Sequence, residues 1–452
     1  MKLRAVVCAL LAMILLLPVF GCTQTPGNGA ETETELPSGT QTEEITEERA
    51  VPENAILLYD GKQFCLPVVV SEQAPKSVRS AAVGLVTSLG KLLPGGNLPD
   101  FKDDFTKDPD SLAELKNEIL VGDTNRPASI DARNATYADY TFSVEVNADR
   151  VVIAGIDSAK TVEAITYFAE TFLPTHLLRE DGKLYLLPGT YRGERTDASF
   201  ISYAVAANRS GIDFRYETKK ILDVAPLTSY GVQQGACLDT NGDYFYFILE
   251  AATDNGDICS LVKYDAHTLT QVAVNENIGC YHGNDVAYNP NNKTVVVSHC
   301  TGTPTYLSVF NAETLELIKR VDTGFSNSAI DYCSERGLYV MMGGGYFRYL
   351  DEDFRVVDQY PTKATPYTSQ GIHCDERYIY RVESGSSANN VKGNIIEVYD
   401  WEGNYVLKME LPDITIEGET LAHLGKDLYV ICNVGKKRGG RVYQMTILSE
   451  VE

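Results

Sequence analysis

Two periodicities divide the chain. Between residues 52 and 195, runs with strand-like alternation are interrupted by apolar residues at helical spacing, which predicts helices over Pro75–Leu93 and Thr161–Phe172. The strand-like runs predict two hairpins and one short strand: Ala55–Leu58 with Phe64–Val70, Tyr140–Val146 with Arg150–Ala154, and Glu118–Gly122. Helices that pack on a sheet would form an α/β (α+β) sandwich in this region.

An internal repeat dominates residues 200–449. Each copy is a strand, an Asp or Asn at a tight turn, and a second strand, and each is preceded by an apolar strand such as YFYFIL. The copies are LVKYDAHTLTQV from 261, LSVFNAETLELI from 307, FRYLDEDFRVV from 347, IEVYDWEGNYVL from 396, and a last one, DLYVICN with RVYQMTI, that ends near Leu448. Their spacing of about 40 to 50 residues is typical of four-stranded propeller blades. The repeat therefore predicts an all-β propeller.

The last copy lacks an outer strand, and the segment Lys219–Ala225 has no partner before the first copy. We expect this segment to supply the missing strand, because closing the ring removes open sheet edges. The prediction is five blades with N- to C-terminal strand closure, and six blades if residues 200–230 contribute more than one strand.

Polar residues recur where each innermost strand begins. Inner strands line the channel of a propeller, so these side chains should ring one mouth, and amides, hydroxyls and carboxylates that converge at a concave mouth hold small polar ligands. The predicted ligand-binding residues are Gln234, Asn284, Asp285, Ser328, Gln370, His373 and Glu419, with His282, Asn327 and Glu417 beside them. A sugar suits such a ring, and so does Ca²⁺, which prefers several oxygen ligands. Channel polarity that only binds water is the alternative, and no other cofactor is expected.

Catalysis in the channel is the second interpretation. A glycosidase needs two carboxyl groups at a defined separation, and the candidates are Asp285, Asp331, Glu383, Glu417 and Glu419. The nucleophile-elbow, zinc-protease and phosphate-loop motifs are absent from the sequence. Of the histidines, His282, His299 and His373 could meet near the channel, although separate polar roles are the simpler reading. No catalytic residue is assigned, and the identity of any metal stays open.

The amino terminus has the pattern of an export signal. Lys2 and Arg4 precede an uncharged apolar run to Phe20 that is too short for a comfortable membrane span. The following Gly21-Cys22 resembles the lipobox of bacterial lipoproteins, which implies cleavage after residue 21 and lipid on Cys22. Residues 22–51 are rich in Thr, Glu, Gly and Pro, so they predict a disordered acidic tether. We therefore expect a lipid-anchored protein on the extracytoplasmic face of the cell membrane.

The net charge and the spacing of the cysteines limit which ligands and partners are expected. The net charge of −23 argues against nucleic acid, which requires clustered Lys and Arg. Beyond Cys8 and Cys22, the cysteines include no CxxC pair, so their spacing gives no support to a zinc or redox site. Several lie in strand-like apolar runs, where buried free thiols are favoured over a disulfide framework. The oligomeric state stays open.

Two parts of the chain resemble known protein families. The segment Glu118–Arg126, followed by YTFSVEV and DRVVIAGID, resembles the accessory domain that precedes the catalytic barrel of family-20 hexosaminidases. That resemblance implies a carbohydrate-associated setting without catalytic residues, and Arg126 is read as a loop arginine that pairs with a carboxylate. Residues 200–449 resemble exported bacterial β-propeller repeat proteins of the WD40 or YVTN type. Five-bladed propeller glycosidases place an Asp on the first inner strand, where this chain has Gln233 and Gln234, which puts hydrolysis in doubt.

Three functions follow as hypotheses. The leading one is a non-catalytic surface binding protein whose propeller mouth recognises a glycan or another small polar ligand. The second is a glycoside hydrolase or lyase that acts in the same channel. The third is a scaffold for protein interactions in the cell envelope that uses the rim of the propeller.

Overall fold

A computed structural model describes residues 50–106, 112, 115–227, 230–251, 258–280, 282–300, 304–385, 389–435 and 438–448. The predicted signal peptide, Cys22 and nearly all of the predicted tether lie outside the described residues. Within these ranges, no helix combines the length and apolar character needed to cross a membrane.

The first part of the described chain contains a six-stranded sheet. Its strands are β2 (Val68–Val70), β3 (Phe101–Asp103), β4 (Ile119–Val121), β5 (Phe142–Val146), β6 (Val151–Gly155) and β9 (Gly189–Arg192). They lie in the order β3-β2-β4-β6-β5-β9. Neighbours among β2, β3, β4 and β6 run parallel, whereas β5 is antiparallel to β6 and β9.

Helices cover both faces of this sheet. They are α1 (Lys76–Gly90), α2 (Pro127–Ala135) and α3 (Ser158–Tyr167), which continues through a π-helical turn (Phe168–Phe172) into α4 (Leu173–His176). Successive strand residues point to opposite faces, so Val68 and Val70 pack with α1 and α3, whereas Val69 packs with α2. Every residue of β2, β4 and β6 is buried, as a covered parallel sheet requires.

The predicted hairpin of Ala55–Leu58 with Phe64–Val70 is wrong. Strand β1 (Ile56–Tyr59) pairs with β8 (Lys183–Leu186), which also pairs with β7 (Leu177–Glu180). Val68–Val70 instead joins the six-stranded sheet, and a single bridge between Tyr59 and Phe64 is what remains of the expected pairing. Val68–Val70 is continuously apolar, and a continuously apolar strand indicates burial on both faces of a sheet rather than one strand of a hairpin.

Helix α5 (Phe200–Ser210) leads from this region to the repeats. Ser199 caps its first turn by accepting a hydrogen bond from the backbone N–H of Ser202, and Gly211 ends it in the left-handed conformation. Phe200, Ile201 and Val205 are buried against strands of the repeat region.

The repeats form four-stranded antiparallel sheets, so the described residues are mostly β structure with a propeller-like all-β fold. Four sheets each use consecutive strands. The first contains β11 (Tyr230–Leu238), β12 (Tyr244–Ala251), β13 (Cys259–Asp265) and β14 (Thr270–Asn275). The second contains β15 (Gly283–Asn289), β16 (Thr294–His299), β17 (Tyr306–Asn311) and β18 (Leu317–Asp322). The third contains β19 (Ala329–Cys333), β20 (Leu338–Gly343), β21 (Tyr346–Leu350) and β22 (Val356–Pro361). The fourth contains β23 (Thr368–Cys374), β24 (Tyr378–Ser384), β25 (Asn394–Asp400) and β26 (Tyr405–Glu410).

A further four-stranded sheet joins distant parts of the chain. Its strands are β27 (Glu417–Leu424), β28 (Asp427–Asn433), β29 (Gly440–Ile447) and β10 (Tyr216–Val224). Strand β10 is antiparallel to β29, with Tyr216 opposite Ile447 and Val224 opposite Gly440. The segment before the first repeat thus supplies the outer strand beside the last repeat.

The first strands of these sheets contact one another in sequence: β11 with β15, β15 with β19, β19 with β23, β23 with β27, and β27 with β11. Apolar side chains from adjacent sheets fill the spaces between them. No disulfide joins the cysteines of the described residues, as the sequence favoured, and Cys65 and Cys300 are the two that are not fully buried.

Candidate functional site

The residues predicted to form the mouth lie on the first strands of the sheets. Gln234, Asn284, Gln370 and Glu419 belong to β11, β15, β23 and β27, and Ser328 immediately precedes β19. Whether these residues form one site depends on the contacts that each side chain makes.

Asn284 joins three neighbouring strands. Its side-chain Nδ2 donates to the carbonyl oxygen of Ser328 at 2.6 Å and to that of Gln370 at 3.2 Å. The Asn284 side chain is buried, and its amide ties together the backbone of neighbouring inner strands.

Asp285, the next residue along β15, is fully buried. Its Oδ2 accepts hydrogen bonds from the backbone N–H of Ile330 at 3.3 Å and of Ile372 at 3.1 Å, and its Oδ1 accepts from Val286 N–H at 3.0 Å. Burial raises the pKa of this carboxyl well above its usual range, although the backbone donors oppose that shift. The prediction placed Asp285 at the mouth, but its carboxyl ties neighbouring strands together and is withdrawn from solvent.

Two glycines allow the strands to approach this closely. A Cβ at Gly235 would overlap the backbone of Asp285, and a Cβ at Gly371 would overlap the carbonyl oxygen of Glu419. Gln234, next to Gly235, is also buried. Glycine is the residue that permits such backbone proximity.

A carboxyl pair lies at the accessible rim of the mouth. Gln370 Nε2 donates to Glu417 Oε1 at 2.9 Å, and Asn433 Nδ2 donates to Glu417 Oε2 at 3.1 Å. Glu419 is buried beside them, and its pKa is raised well above the usual range, first by burial and then by the charge and hydrogen bond of Glu417. Glu417 itself is exposed, so the rim presents an ionisable acceptor and an amide to solvent.

His373 lies toward the opposite end of its strand and was wrongly placed at the mouth. Its Nδ1 lies 2.6 Å from Asp331 Oδ2, and its Nε2 lies 2.6 Å from His423 Nδ1. The same Asp331 oxygen accepts from the backbone N–H of Cys374 at 2.8 Å. Burial and the neighbouring His373 lower the pKa of His423 to about 4. This Asp–His–His chain is thus engaged internally.

The other candidate histidines have different partners. His282 Nδ1 lies 2.7 Å from Glu250 Oε1, and His299 Nε2 lies 3.0 Å from Ser308 Oγ. Asn327 donates to the carbonyl oxygen of Pro304 and accepts from the backbone N–H of His299, so it holds a loop in place. In the part of the chain that the structure describes, no group of three or more His, Cys, Asp and Glu has a metal-binding arrangement.

Most of the candidate catalytic carboxyl groups are engaged with protein partners. Asp285 and Asp331 are bound by backbone and histidine partners, and Glu383 lies 3.0 Å from Arg381 Nε. On β27, Glu417 is exposed whereas Glu419 is buried, so these two carboxyl groups do not both face solvent.

Sequence reasoning missed a crevice in the first part of the chain, at the carboxyl ends of β2 and β4. The crevice has a volume of about 590 Å³ and is lined by the loops that follow these strands, by α2, and by the end of α5. The signal for such a crevice would have been two parallel strands followed by helices on opposite faces of the sheet. The predicted hairpin with Phe64–Val70 hid the first of these strands. Arg126 is buried nearby in a two-pronged pair with Glu118, in agreement with its predicted structural role.

No protein-family model matches the chain, and no curated protein matches it. Among solved structures, the luciferin-regenerating enzyme is similar over 52% of this chain and 96% of its own, at 13% identity and a TM-score of 0.33. Hydrazine synthase of Kuenenia stuttgartiensis matches 46% of this chain at 13% identity and a TM-score of 0.31, and the match spans 57% of that protein's length. Hsv2 of Kluyvelomyces marxianus matches 47% of this chain and 60% of its own length, at 10% identity and a TM-score of 0.27. These similarities are too distant to indicate a function.

Proposed function

We propose that this protein is a lipid-anchored, extracytoplasmic binding protein whose propeller mouth recognises a glycan or another small polar ligand. The hydrogen bonds between residues of four neighbouring sheets carry this proposal. The Asn284 side chain donates to the backbone carbonyl oxygens of Ser328 and Gln370, and the Gln370 side chain donates to Glu417. Of these residues, Gln370 and Glu417 are accessible to solvent.

The ring that holds the mouth is proposed to be a five-bladed propeller closed by β10. The contacts of β11 with both β15 and β27, and the pairing of β10 with β29, support this architecture. The proposed α/β accessory domain over residues 52–195 precedes it. A closed ring fixes the spacing of the inner strands, and fixed spacing keeps the ordering cost of ligand binding low.

The chemistry of the rim favours a hydroxylated ligand. Glu417 accepts hydrogen bonds, and the amides of Gln370 and Asn433 both donate and accept. Sugar hydroxyls also donate and accept, so each can replace a water at this rim without leaving a polar group unpaired. Ca²⁺ is a weaker candidate, because burial raises the pKa of Glu419 well above its usual range and a cation binds the deprotonated carboxylate.

Binding is favoured over hydrolysis because only one of the two carboxyl groups at the rim is exposed. Glu417 is exposed and Glu419 is buried, whereas a glycosidase needs two carboxyl groups that both reach the scissile bond. Release of reducing ends from a polysaccharide by the full-length protein, lost on Glu419→Gln, would instead establish the hydrolase.

The direct test is a glycan array followed by calorimetric titration of the best binder. We expect Gln370→Ala and Glu417→Gln each to weaken binding about tenfold, since each removes a hydrogen-bonding partner at the rim. Gln359→Ala and Glu217→Gln are matched controls, because both residues are exposed on outermost strands. Equal affinity of the rim variants and the controls would exclude this mouth, and the absence of any bound sugar or Ca²⁺ would exclude the function.

The anchor is tested separately. Cys22→Ser should abolish labelling with a lipid precursor and move the protein from the membrane to the soluble fraction. Unchanged membrane association of this variant would refute lipid attachment at Cys22 and would leave the binding proposal untouched.

A further inference from the structure

A crevice in the first part of the described chain lies outside the repeats. It opens where β2 and β4, two adjacent parallel strands, reach their carboxyl ends. The chain leaves β2 for α1 on one face of the sheet, and leaves β4 for α2 on the other face. Diverging connections leave a gap between neighbouring strands, and this is where open α/β sheets bind ligands.

Hydrogen bonds to the buried Asp104 hold the walls of this crevice in place. Asp104, at the end of β3, accepts from the backbone N–H of Glu72 at 2.9 Å and of Asn125 at 2.7 Å. One carboxylate therefore fixes both loops that line the gap. The crevice is preformed, and its volume of about 590 Å³ falls within the range of small-molecule sites.

Charged groups of both signs lie at its centre. Asp123 forms ion pairs with Arg133, at 3.3 Å, and with Arg209. Arg133 Nη2 also donates to the carbonyl oxygen of Arg209 at 3.0 Å, near the end of α5. The side chains of Asp123 and Arg209 are 30% and 33% exposed, so both remain accessible to a ligand.

This balance of charge selects the class of ligand. An anion would meet Asp123 and Glu72, and a cation would meet the two guanidinium groups. A neutral molecule with many hydroxyl groups can donate to the carboxylate and accept from the guanidinium groups at the same time. Ile130 is 38% exposed in the same wall, and it offers an apolar surface to the C–H face of a ring.

From this geometry we infer that the crevice between the β2 and β4 loops is a second ligand site, which takes a neutral polyhydroxylated molecule of about mono- to disaccharide size. The site is independent of the propeller mouth and goes beyond the proposed function. Its floor includes the end of α5, whose first half packs on the repeats, so an occupied site stabilises the connection between the two parts of the chain.

The test uses the full-length protein and a panel of neutral probes: glucose, galactose, N-acetylglucosamine, maltose, cellobiose and myo-inositol. Each is compared with the charged probes gluconate, glucose 6-phosphate and glucosamine, by thermal shift and calorimetric titration. We expect at least one neutral probe to raise the Tm and to bind at least tenfold more tightly than its charged counterpart.

Two variants locate the site. Asp123→Asn removes the acceptor charge, and Asn208→Trp fills the rim without touching the ion pairs, because Asn208 is exposed at the edge of the crevice. Each should weaken binding at least tenfold, whereas Asp131→Asn, an exposed position on α2, should leave it unchanged. The propeller variant Gln370→Ala should also leave it unchanged, which separates this site from the mouth.

Four results would overturn the inference. The first is that no neutral probe binds, and the second is that only a charged probe binds. The third is full affinity in Asn208→Trp with an unchanged Tm in the absence of ligand. Loss of binding in Gln370→Ala alone would assign the ligand to the mouth and likewise refute the second site.

Discussion

At the residue scale, position along an inner strand decides what each polar side chain does. Asp285 and Glu417 both lie on inner strands, yet the first bonds to backbone N–H groups out of solvent while the second is exposed at the rim. Alignment of the repeats predicted which strand positions are polar. The alignment could not predict which way each side chain points, because the orientation of a carboxyl group depends on donors from strands that are distant in sequence.

We predict that Asp285→Ala destabilises the protein by about 2 to 4 kcal/mol, since it leaves the backbone N–H groups of Ile330 and Ile372 buried without an acceptor. Asp285→Asn should cost less, because its amide oxygen still accepts. Urea denaturation followed by circular dichroism measures both, with the exposed Asp322→Ala as control. A cost below 1 kcal/mol for Asp285→Ala would contradict this role.

His299 makes stability depend on pH. Burial, with a smaller effect of Arg320, lowers its pKa to about 4 in the folded state, whereas an unfolded histidine titrates near 6.5. Below pH 6.5 the unfolded chain binds the proton first, so this stabilisation is complete above pH 6.5 and is lost as the pH falls towards 4. Between pH 6.5 and 5 the loss is at most about 2 kcal/mol.

We therefore expect the Tm of the wild type to fall more between pH 7.5 and 5 than that of His299→Gln. His267→Gln serves as the control, because its exposed ring pairs with Asp243 and its pKa is raised rather than lowered. Parallel pH profiles for the wild type and His299→Gln would rule this mechanism out.

At the scale of elements, the periodicity of the sequence was reliable where the partners are local. Strands within each repeat follow one another along the chain and pair as the pattern indicated. The hairpin prediction for Phe64–Val70 failed because the partners of Val68–Val70 are parallel strands far along the chain. Parallel pairing leaves no turn signal in the sequence.

Strand β10 provides a test of the closing sheet. Leu222 is buried among residues of the first sheet and of the sheet that contains β29. Leu222→Ala should therefore lower the free energy of unfolding by about 2 to 3 kcal/mol and speed proteolysis near the seam. Ile318→Ala, on the outermost strand of another sheet and 54% exposed, should change it by less than about 0.5 kcal/mol. Equal losses of unfolding free energy in the two variants would mean that β10 does not stabilise the last sheet.

At the scale of the molecule, the two parts of the described chain meet through buried polar contacts as well as through apolar packing. Arg377, in the turn between β23 and β24, forms a 3.0 Å ion pair with Asp157, which caps α3. Ser199, the cap of α5, donates to Asp375 in the same turn at 2.5 Å. These four capping and turn residues connect the first part of the chain and α5 to the repeats.

We predict that Arg377→Gln separates the unfolding of the two parts. The substitution leaves the carboxylate of Asp157 buried without its cation, at a cost of about 3 kcal/mol. Differential scanning calorimetry should show one transition for the wild type and two for the variant. Arg355→Gln removes an exposed pair with Asp353 and should leave a single transition. A single, unshifted transition in Arg377→Gln would show that other contacts govern the coupling.

The sequence by itself determined the repeat, the strands within it, the polar positions on its inner strands and the preference for buried free thiols, because each depends on local periodicity and residue chemistry. The tertiary structure alone decided that Asp285 and His373 turn away from the mouth, that Val68–Val70 belongs to a parallel sheet, and that a charged crevice opens between β2 and β4. Those features arise from hydrogen bonds and packing between residues far apart in sequence, which no local pattern encodes.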